Sequence, residues 1–520
     1  MDAAIAGAFI MTVTMPDAAS LGGAGAALHY DAEGRHITAF VGRETAGAAI
    51  DPSWLEPEEG ETARPIDGGQ AVGAPSLLPM LGALHKVGGR LSWAKLAQEA
   101  EVLARTGAPL TRDAAKALSR LYFPHFSGAD EIFGTSGEGA APAGTIIRNP
   151  MLANVFYAIG RDGAGVLSGG IAGHSIKRLI ADTRRRPATL TLDELGGAVP
   201  TVAPPVCVAL ARSALCAPPA PTLGPFVLET TALFEAAAPA NPTGLDWANI
   251  LAQAHRAAMA DARYYLGDPL KFPDMTPTLL EPEAIVRRAH AIQADQDRGL
   301  PGAMRLRGTP IGMASGAPAS RHIPTASIVV VDRHGSAVAL SLTLTKPFGA
   351  GLAARGVLLN AANSAFDRSL GHPGIVRANA VRPGARPRLD LAPIMALDGE
   401  RRLILVAAGS GGSDAPAFLA EVAIATLKFG MSAEAAVAAP NVASSHRATR
   451  LEIRSPAERL ENGLRDIGHQ TEITALPSGL VVASKGAVGF EAAADPRGEG
   501  AAKAKPPATW RALDLPKRGS

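Results

Sequence analysis

The 520-residue sequence has few cysteines and few aromatic residues. Its two cysteines, Cys207 and Cys216, are too few for a disulfide-rich scaffold, and without a Cys-x-x-Cys pair they do not suggest a zinc site. We expect no bound metal and no cofactor. The two cysteines could approach each other across a hairpin, but we favour two free, buried thiols. Because aromatic residues make up only 4% of the chain, the core must rest on alanine, valine, leucine and isoleucine.

The sequence also lacks a surplus of charge of one sign and any long apolar run. It has 50 lysine and arginine residues against 48 aspartate and glutamate residues, a formal charge of +2. Without a basic tract, nucleic acid is not an expected partner. No run reaches the roughly 18 apolar residues of a membrane span, so none is expected. Hydrophobic residues still make up 47% of the chain, enough for a large core.

The first half of the chain is typical of helices separated by glycine and proline breaks. Met1–Met11 superficially resembles a signal peptide, but it has no basic first region and no clear cleavage site, so we predict a buried helix. Apolar residues recur at helical spacing over 93–104 before Gly107, and a second long helix is predicted over Asp246–Tyr265. Between them, residues 203–221 are rich in proline and alanine and indicate a strand followed by a loop.

The second half opens with a loop that runs directly into a β-hairpin. Pro301–Pro324 is rich in glycine, proline, serine and alanine. Ser327–Asp332 is a buried-strand pattern, residues 333–335 form a short turn, and Ser336–Thr345 alternates small or polar with apolar residues. Flexible chain therefore meets a rigid strand at Thr325.

The position of Thr325 suggests a nucleophile. A threonine hydroxyl reacts poorly unless a base lies beside it, and cutting the chain before the threonine would make its own α-amine that base. If the turn centres on His334, Thr343 lies opposite Thr325, and its hydroxyl could orient the amine or hydroxyl of the nucleophile. A bulge at Gly335 could shift this register by one residue. Packing of two threonines across a hairpin, with no catalytic role, is the alternative.

A second candidate feature is the glycine-rich turn Ala408–Ser413. It follows a predicted strand over 403–407 and precedes a predicted helix over 417–429. Backbone N–H groups in such a turn can bind an oxyanion or a phosphate. No Gly-Lys-Ser/Thr follows, so the turn is not a P-loop. A tight turn that merely needs glycine is the alternative.

In this order, these segments resemble the γ-glutamyltransferase (glutathione hydrolase) family of N-terminal-nucleophile hydrolases over essentially the whole chain. The most specific match is Thr325–Asp332, which reads Thr-Ala-Ser-Ile-Val-Val-Val-Asp where the family has Thr-Thr-His-x-Ser-Val-Val-Asp. Further matching segments are Asp2–Ala4, Leu21–Gly25, Arg43–Ala46, Leu84–Lys86, Leu91–Leu96, Arg148–Ala153, Tyr265–Pro269, Phe348–Gly349 and Asp495–Arg497.

The resemblance implies roles for four residues. Thr325 would be the nucleophile both of self-cleavage and of catalysis, with the Thr343 hydroxyl as its support. The backbone N–H groups of Gly411 and Gly412 would form the oxyanion hole.

The resemblance also implies an α/β fold, the four-layer αββα sandwich. Residues 1–324 would be the large-subunit segment and residues 325–520 the small-subunit segment, paired with each other in one shared core. The compartment stays open, because no signal is visible. The family suggests a periplasmic or extracellular location and has a further helix before the position of Met1, so a leader could lie upstream.

The implied substrate pocket departs from the family pattern. Arg43 matches the family arginine of the glutamate pocket, and a guanidinium can clamp a carboxylate. Thr345 stands where the family has asparagine, and within 360–365 the family's glutamine and amine-binding aspartate fall on alanines. Two family serines are replaced by Leu389 and Asp390. We expect Arg43, Thr345 and Asp390 to bind a small-molecule amide whose acyl group is γ-glutamyl or another carboxylate-bearing group.

Two functions are consistent with these residues. The first is an amidohydrolase or acyltransferase that cleaves itself before Thr325 and passes an acyl group to water or to an amine. The alternative is a degenerate, non-catalytic family member that acts as a binding or scaffolding protein. The altered pocket and Ala326, which replaces the second threonine of the motif, favour the alternative.

Overall fold

The computed structural model describes residues 1–55, 67–120, 130–133, 140–316, 324–367, 375–444, 448–487 and 489–504. The helices are α1 (Asp2–Thr14), α2 (Gly68–Ala71), α3 (Leu77–Gly88), α4 (Trp93–Thr106), α5 (Arg112–Arg120), α6 (Asp130–Phe133), α7 (Pro150–Asp162), α8 (Gly170–Asp182), α9 (Leu192–Gly196), α10 (Gly224–Ala237), α11 (Gly244–Tyr265), α12 (Thr276–Leu279), α13 (Pro282–Ala289), α14 (Ala415–Leu427), α15 (Ala433–Ala438) and α16 (Glu461–Asp466). In this described part of the chain, no helix has both the length and the apolar character needed to cross a membrane.

The strands complete a mixed helix-and-sheet fold. They are β1 (Ala24–Asp31), β2 (His36–Gly42), β3 (Ala108–Pro109), β4 (Ile146–Ile147), β5 (Thr201–Ala203), β6 (Val206–Leu210), β7 (Ser213–Ala217), β8 (Ala326–Val331), β9 (Ala337–Thr343), β10 (Ala353–Ala354), β11 (Val357–Leu358), β12 (Ile394–Asp398), β13 (Leu403–Ser410), β14 (Val442–Ala443), β15 (Thr449–Glu452), β16 (Thr471–Thr474), β17 (Gly479–Gly486) and β18 (Gly489–Ala494).

Two antiparallel sheets form the centre of the molecule. The strand order is β5-β2-β1-β9-β8 in the first sheet and β18-β17-β13-β12-β7-β6 in the second. In the first sheet, β1 pairs with β9, and in the second, β7 pairs with β12. Strands that precede residue 324 therefore pair with strands that follow it in both sheets.

Alternate residues of these strands belong to different apolar clusters, as the two-residue period of a strand requires. Leu340 lies on the face of the first sheet that packs against α1, α3, α4 and α7. Its neighbour Ala339 lies on the opposite face, in one cluster with Val406 of the second sheet. Leu405, next to Val406, packs against α10, α11 and α14. One apolar cluster thus contains residues of both sheets, and two further clusters each join one sheet to helices.

The helices predicted in the first half of the chain are confirmed. α1 buries Ile5 and Phe9 completely. α4 ends before Gly107, whose φ of +101° suits a residue without a Cβ. α11 begins two residues earlier than predicted, because the Thr243 hydroxyl accepts a hydrogen bond from the N–H of Asp246 and the Asp246 carboxylate accepts one from the N–H of Thr243.

The predictions for residues 203–221 are wrong in two respects. Instead of one strand and a loop, the segment contains the hairpin β6–β7, with its prolines placed before and after the strands. Cys207 lies opposite Cys216 in this hairpin, and the two form a disulfide rather than two free thiols. Facing cysteines on paired strands are close enough to bond, which composition could not reveal.

Candidate active site

Thr325 immediately precedes β8 and faces β9. The hairpin pairs Ala326 with Leu342, and every further pair keeps the same register. Extending this register by one residue places Thr325 opposite Thr343, as the sequence predicted. The shift by one residue that a bulge at Gly335 would cause does not occur.

The hydroxyl groups of this threonine pair have different surroundings. Thr325 is only 5% exposed, and its hydroxyl has no hydrogen-bond partner within the described residues. The Thr343 hydroxyl donates to the carbonyl oxygen of Pro324 at 2.8 Å and accepts from the N–H of Thr345 at 3.0 Å. That carbonyl belongs to the peptide bond before Thr325. Thr343 therefore polarises the carbonyl carbon that a Thr325 hydroxyl would attack.

The glycine turn after β13 lies at the same end of the sheets as the threonine pair. β1 and β9 run antiparallel, with Ala24 opposite Thr343 at one end and Tyr30 near the other end. The Tyr30 hydroxyl donates to the carbonyl of Arg401, just before β13 begins, at 2.9 Å. β13 therefore starts at the end far from Thr343 and runs back toward it, so the turn after Ser410 lies at the threonine end.

Both glycines of this turn are required by its geometry. Gly412 has a φ of +64°, which costs other residues roughly 1–2 kcal/mol. A Cβ on Gly411 would lie 2.9 Å from the Phe418 ring. Asp414, two residues after Gly412, forms a buried ion pair with Arg450 at 2.6 Å, and α14 begins at the next residue. The amides of the turn thus stand at the N-terminal end of a helix, where its dipole favours negative charge. Their role as an oxyanion hole stays a prediction.

Arg43 lies beside Thr345, but its guanidinium is already hydrogen-bonded to other groups of the protein rather than free for a substrate. The side chain is buried, and Nη1 donates to Glu44 at 2.8 Å and to the Thr345 hydroxyl at 3.1 Å. Nε donates to the carbonyl of Pro387 at 2.9 Å and Nη2 to that of Arg388 at 3.0 Å. Four of the five N–H groups of the guanidinium are therefore engaged by described residues. The fork is a fixed support for Thr345, with limited capacity left for a substrate carboxylate.

Asp390 lies beside this arginine in a buried cluster of mixed charge. Burial raises the pKa of its carboxyl group, and the positive charges of Arg388 and Arg43 oppose that rise. The Arg388 Nε lies 3.8 Å from the carboxylate. Asp367 and Arg263 also act on the same carboxyl. Sequence reasoning missed Arg388, Arg263 and Asp367. The sequence Arg-Pro-Arg-Leu-Asp could have indicated Arg388, because it stands two residues before Asp390. Arg263 and Asp367 are too distant from Asp390 in sequence to be predicted in this way.

The segment 360–365 anchors the backbone around the site. Asn360 donates to the carbonyls of Gly22 and Gly73 at 2.8 and 2.9 Å, and its carbonyl accepts from the N–H groups of Gly73 and Ala362. Ala362 is buried. The asparagine is therefore saturated by backbone groups, and the alanine offers no charge to a substrate ammonium group.

A buried histidine beneath the glycine turn gives a stability prediction. His255 of α11 stacks on Phe226, and burial lowers its pKa to about 3 from the usual 6.5, with Asp414 and Arg450 nearby. Between these two pH values the unfolded chain binds a proton that the folded chain does not. The free energy of unfolding should therefore fall as the pH drops from 6.5 toward 3, by at most about 1.4 kcal/mol per pH unit.

The His255→Leu variant should lose this component of the pH dependence. Urea unfolding of the variant and the parent, compared at pH 7 and pH 4, isolates it because the other titrating groups are shared. Equal losses of stability in both proteins on acidification would contradict the prediction.

Comparison with known proteins identifies the family of this chain. A model of the family described as Gamma-glutamyltranspeptidase matches residues 1–505. The chain belongs to the γ-glutamyltranspeptidase family. The matched residues include the threonine hairpin, the glycine turn and the charged cluster.

Curated γ-glutamyltranspeptidase relatives are similar over most of the chain. Glutathione hydrolase 7 of Homo sapiens is 27% identical over 413 residues, which are 77% of this chain and 59% of that protein. The Glutathione hydrolase proenzyme of Bacillus subtilis (strain 168) is 26% identical over 491 residues, which are 90% of this chain and 81% of that protein. The chain therefore spans about three fifths of the length of the first of these relatives.

Solved structures share the fold of this family member. The crystal structure of cephalosporin acylase from Bacillus halodurans superimposes with a TM-score of 0.83 at 19% identity, covering 95% of this chain and 89% of that chain. Helicobacter pylori gamma-glutamyltranspeptidase gives a TM-score of 0.52 at 24% identity, covering 57% of this chain and 86% of that chain.

Proposed function

We propose that this γ-glutamyltranspeptidase family member is an N-terminal threonine amidohydrolase or acyltransferase that activates itself by cleavage between Pro324 and Thr325. The observation that carries the proposal is the 2.8 Å hydrogen bond from the Thr343 hydroxyl to the Pro324 carbonyl, next to a Thr325 hydroxyl that has no hydrogen-bond partner in the described part of the chain. The name proenzyme of the Bacillus subtilis relative supports the same reading.

Self-cleavage would begin with a shift of the Pro324 acyl group from the backbone nitrogen of Thr325 to the side-chain oxygen of the same residue. The Thr325 oxygen bonds to the Pro324 carbonyl carbon, the C–N bond to Thr325 breaks, and the hydroxyl proton moves to the departing nitrogen. Water then hydrolyses the resulting ester, which leaves a carboxylate on Pro324 and a free α-amine on Thr325. Because Thr325 is buried in the intact chain, this step would also free its hydroxyl.

In the cleaved enzyme the α-amine would accept the proton of the Thr325 hydroxyl as that hydroxyl attacks an amide substrate. The amides of Gly411 and Gly412, at the start of α14, would stabilise the negative charge on the substrate oxygen. Water or an amine would then release the acyl group. Thr343 would keep the nucleophile in position.

For the substrate we propose an amide with a carboxylate-bearing acyl group. Arg43, Thr345 and Asp390 would line its pocket, and the single N–H group of Arg43 that no described residue engages would be the contact for the acyl carboxylate. The alanines at 362 and 365 leave a γ-glutamyl ammonium group without the family's acidic partner, a loss of roughly 1–3 kcal/mol. Glutathione and an acylated cephalosporin, suggested by the names of the relative and the structural neighbour, are both test substrates.

We further propose that the fold is the four-layer αββα sandwich and that residues 1–324 and 325–520 share its core. The three apolar clusters, one between the sheets and one on each outer face, support four layers. The pairing of β1 with β9 and of β7 with β12 supports a single core.

Intact mass measurement and N-terminal sequencing of purified protein test the proposal. We expect two chains, one of which begins at Thr325, and turnover of at least one acyl amide in a panel that contains γ-glutamyl, glutaryl and cephalosporin amides. A single uncleaved chain with no turnover would contradict the enzyme and leave the binding or scaffolding function.

A further inference from the structure

An apolar cavity of about 290 Å³ lies between the start of α11, α14 and the segment that follows α15. Aromatic side chains of Trp247, Phe418 and Phe429 line it, together with Met431. Phe429 is 41% exposed, so the cavity is accessible from solvent at that side. Glu421, which is buried, also lines the cavity. A buried acid among aromatic rings is unusual in a simple packing defect.

The Glu421 carboxyl group has spare hydrogen-bonding capacity. Its two oxygens lie 3.3 and 3.4 Å from the same donor, the backbone N–H of Val442. Three charged side chains act on it, namely Arg497, Glu452 and Asp414. Arg497 is committed to Glu452 at 2.5 Å and to Asp495 at 3.0 Å. Glu421 therefore has no cation of its own among the described residues.

We propose that this cavity binds a small primary amine with an apolar body, whose ammonium group pairs with the Glu421 carboxylate. An ammonium donates the strong hydrogen bonds that the carboxyl oxygens lack, and aromatic residues such as Trp247, Phe418 and Phe429 can contribute cation–π attraction. The cavity volume of about 290 Å³ far exceeds the ~10–15 Å³ that one water molecule needs by the same measure, so there is room for an apolar body beside the ammonium group.

The electrostatics of Glu421 also favour a cation over a neutral ligand. Burial raises the pKa of the Glu421 carboxyl group well above its ordinary value, because the charge of Arg497 only partly compensates for the lost hydration of the carboxylate. An ammonium ion bound beside the carboxyl group would stabilise the ionised carboxylate and so lower that pKa.

Titration calorimetry of the purified full chain tests the proposal with 2-phenylethylamine and its neutral analogue 2-phenylethanol. We expect the amine to bind at least about 10-fold more tightly than the alcohol. Equal affinities of the amine and the alcohol, or no binding of the amine, would overturn the proposal.

Variants assign the binding to this cavity. Glu421→Gln should weaken amine binding by at least about 10-fold, whereas Glu434→Gln, which changes an exposed acid on α15, should leave amine binding unchanged. Ala425→Leu keeps the acid but fills the cavity, so it should weaken the binding of both ligands. Thermal melting of each variant verifies its folding. Amine binding that survives in a folded Glu421→Gln or Ala425→Leu variant would refute the site.

Discussion

The Thr325→Ala variant is expected to remain a single 520-residue chain, whereas the parent protein separates into fragments of 324 and 196 residues on a denaturing gel. The variant removes the hydroxyl that would attack the Pro324 carbonyl and the hydroxyl that would attack a substrate. Activity on acyl amides should fall by at least about 1,000-fold, because no neighbouring group replaces a covalent nucleophile.

The matched control is Thr325→Ser, which keeps the hydroxyl and removes one methyl group. It should still cleave, at a reduced rate, and retain measurable activity. Cleavage of the alanine variant at the same peptide bond would show that another residue or a contaminating protease cuts the chain. Turnover by an uncleaved alanine variant would remove Thr325 from the mechanism.

The Thr343→Val variant should fold normally but cleave itself about 100- to 1,000-fold more slowly. Valine matches the shape of threonine and lacks the donor that polarises the Pro324 carbonyl, and loss of one such donor typically has an effect of this size. The variant also leaves the Thr345 N–H without its acceptor, so stability should fall by about 1–3 kcal/mol. Intact mass spectrometry at intervals after purification measures the cleavage rate.

The conservative Thr343→Ser variant separates chemistry from stability. Serine restores both the donor and the acceptor, so its cleavage rate should approach that of the parent chain. If the valine variant cleaves as fast as the serine variant, the 2.8 Å hydrogen bond has no part in the reaction. A urea denaturation curve for each variant shows whether slow cleavage merely reflects a loss of folding.

The threonine hairpin could be predicted from sequence because its register depends on local information. A short turn between two strand patterns fixes which residues face each other, so the pairing of Thr325 with Thr343 follows from the position of His334. The helix over 93–106 was equally local, since its apolar spacing and the following glycine define both its face and its end.

The charged cluster and the disulfide could not be predicted in the same way. Arg263 lies on α11 and Asp367 in a separate segment, so only the tertiary fold places their charges near the Asp390 carboxyl group. Arg43 was expected to bind a substrate carboxylate. Its sequence context does not show that its guanidinium donates most of its hydrogen bonds to Glu44 and to backbone carbonyls. Cys207 and Cys216 form a bond because two short strands pair, and the surrounding prolines obscured those strands.

The position of the Cys207–Cys216 disulfide bears on how a severed chain would hold together. Both sulfurs belong to the portion before Pro324, so no covalent tether would connect the two polypeptides after maturation. Their cohesion would rest on interleaved strands and buried side chains alone. Such a heterodimer would elute as one particle in native size-exclusion chromatography. Denaturing detergent would separate its two chains even without a reducing agent.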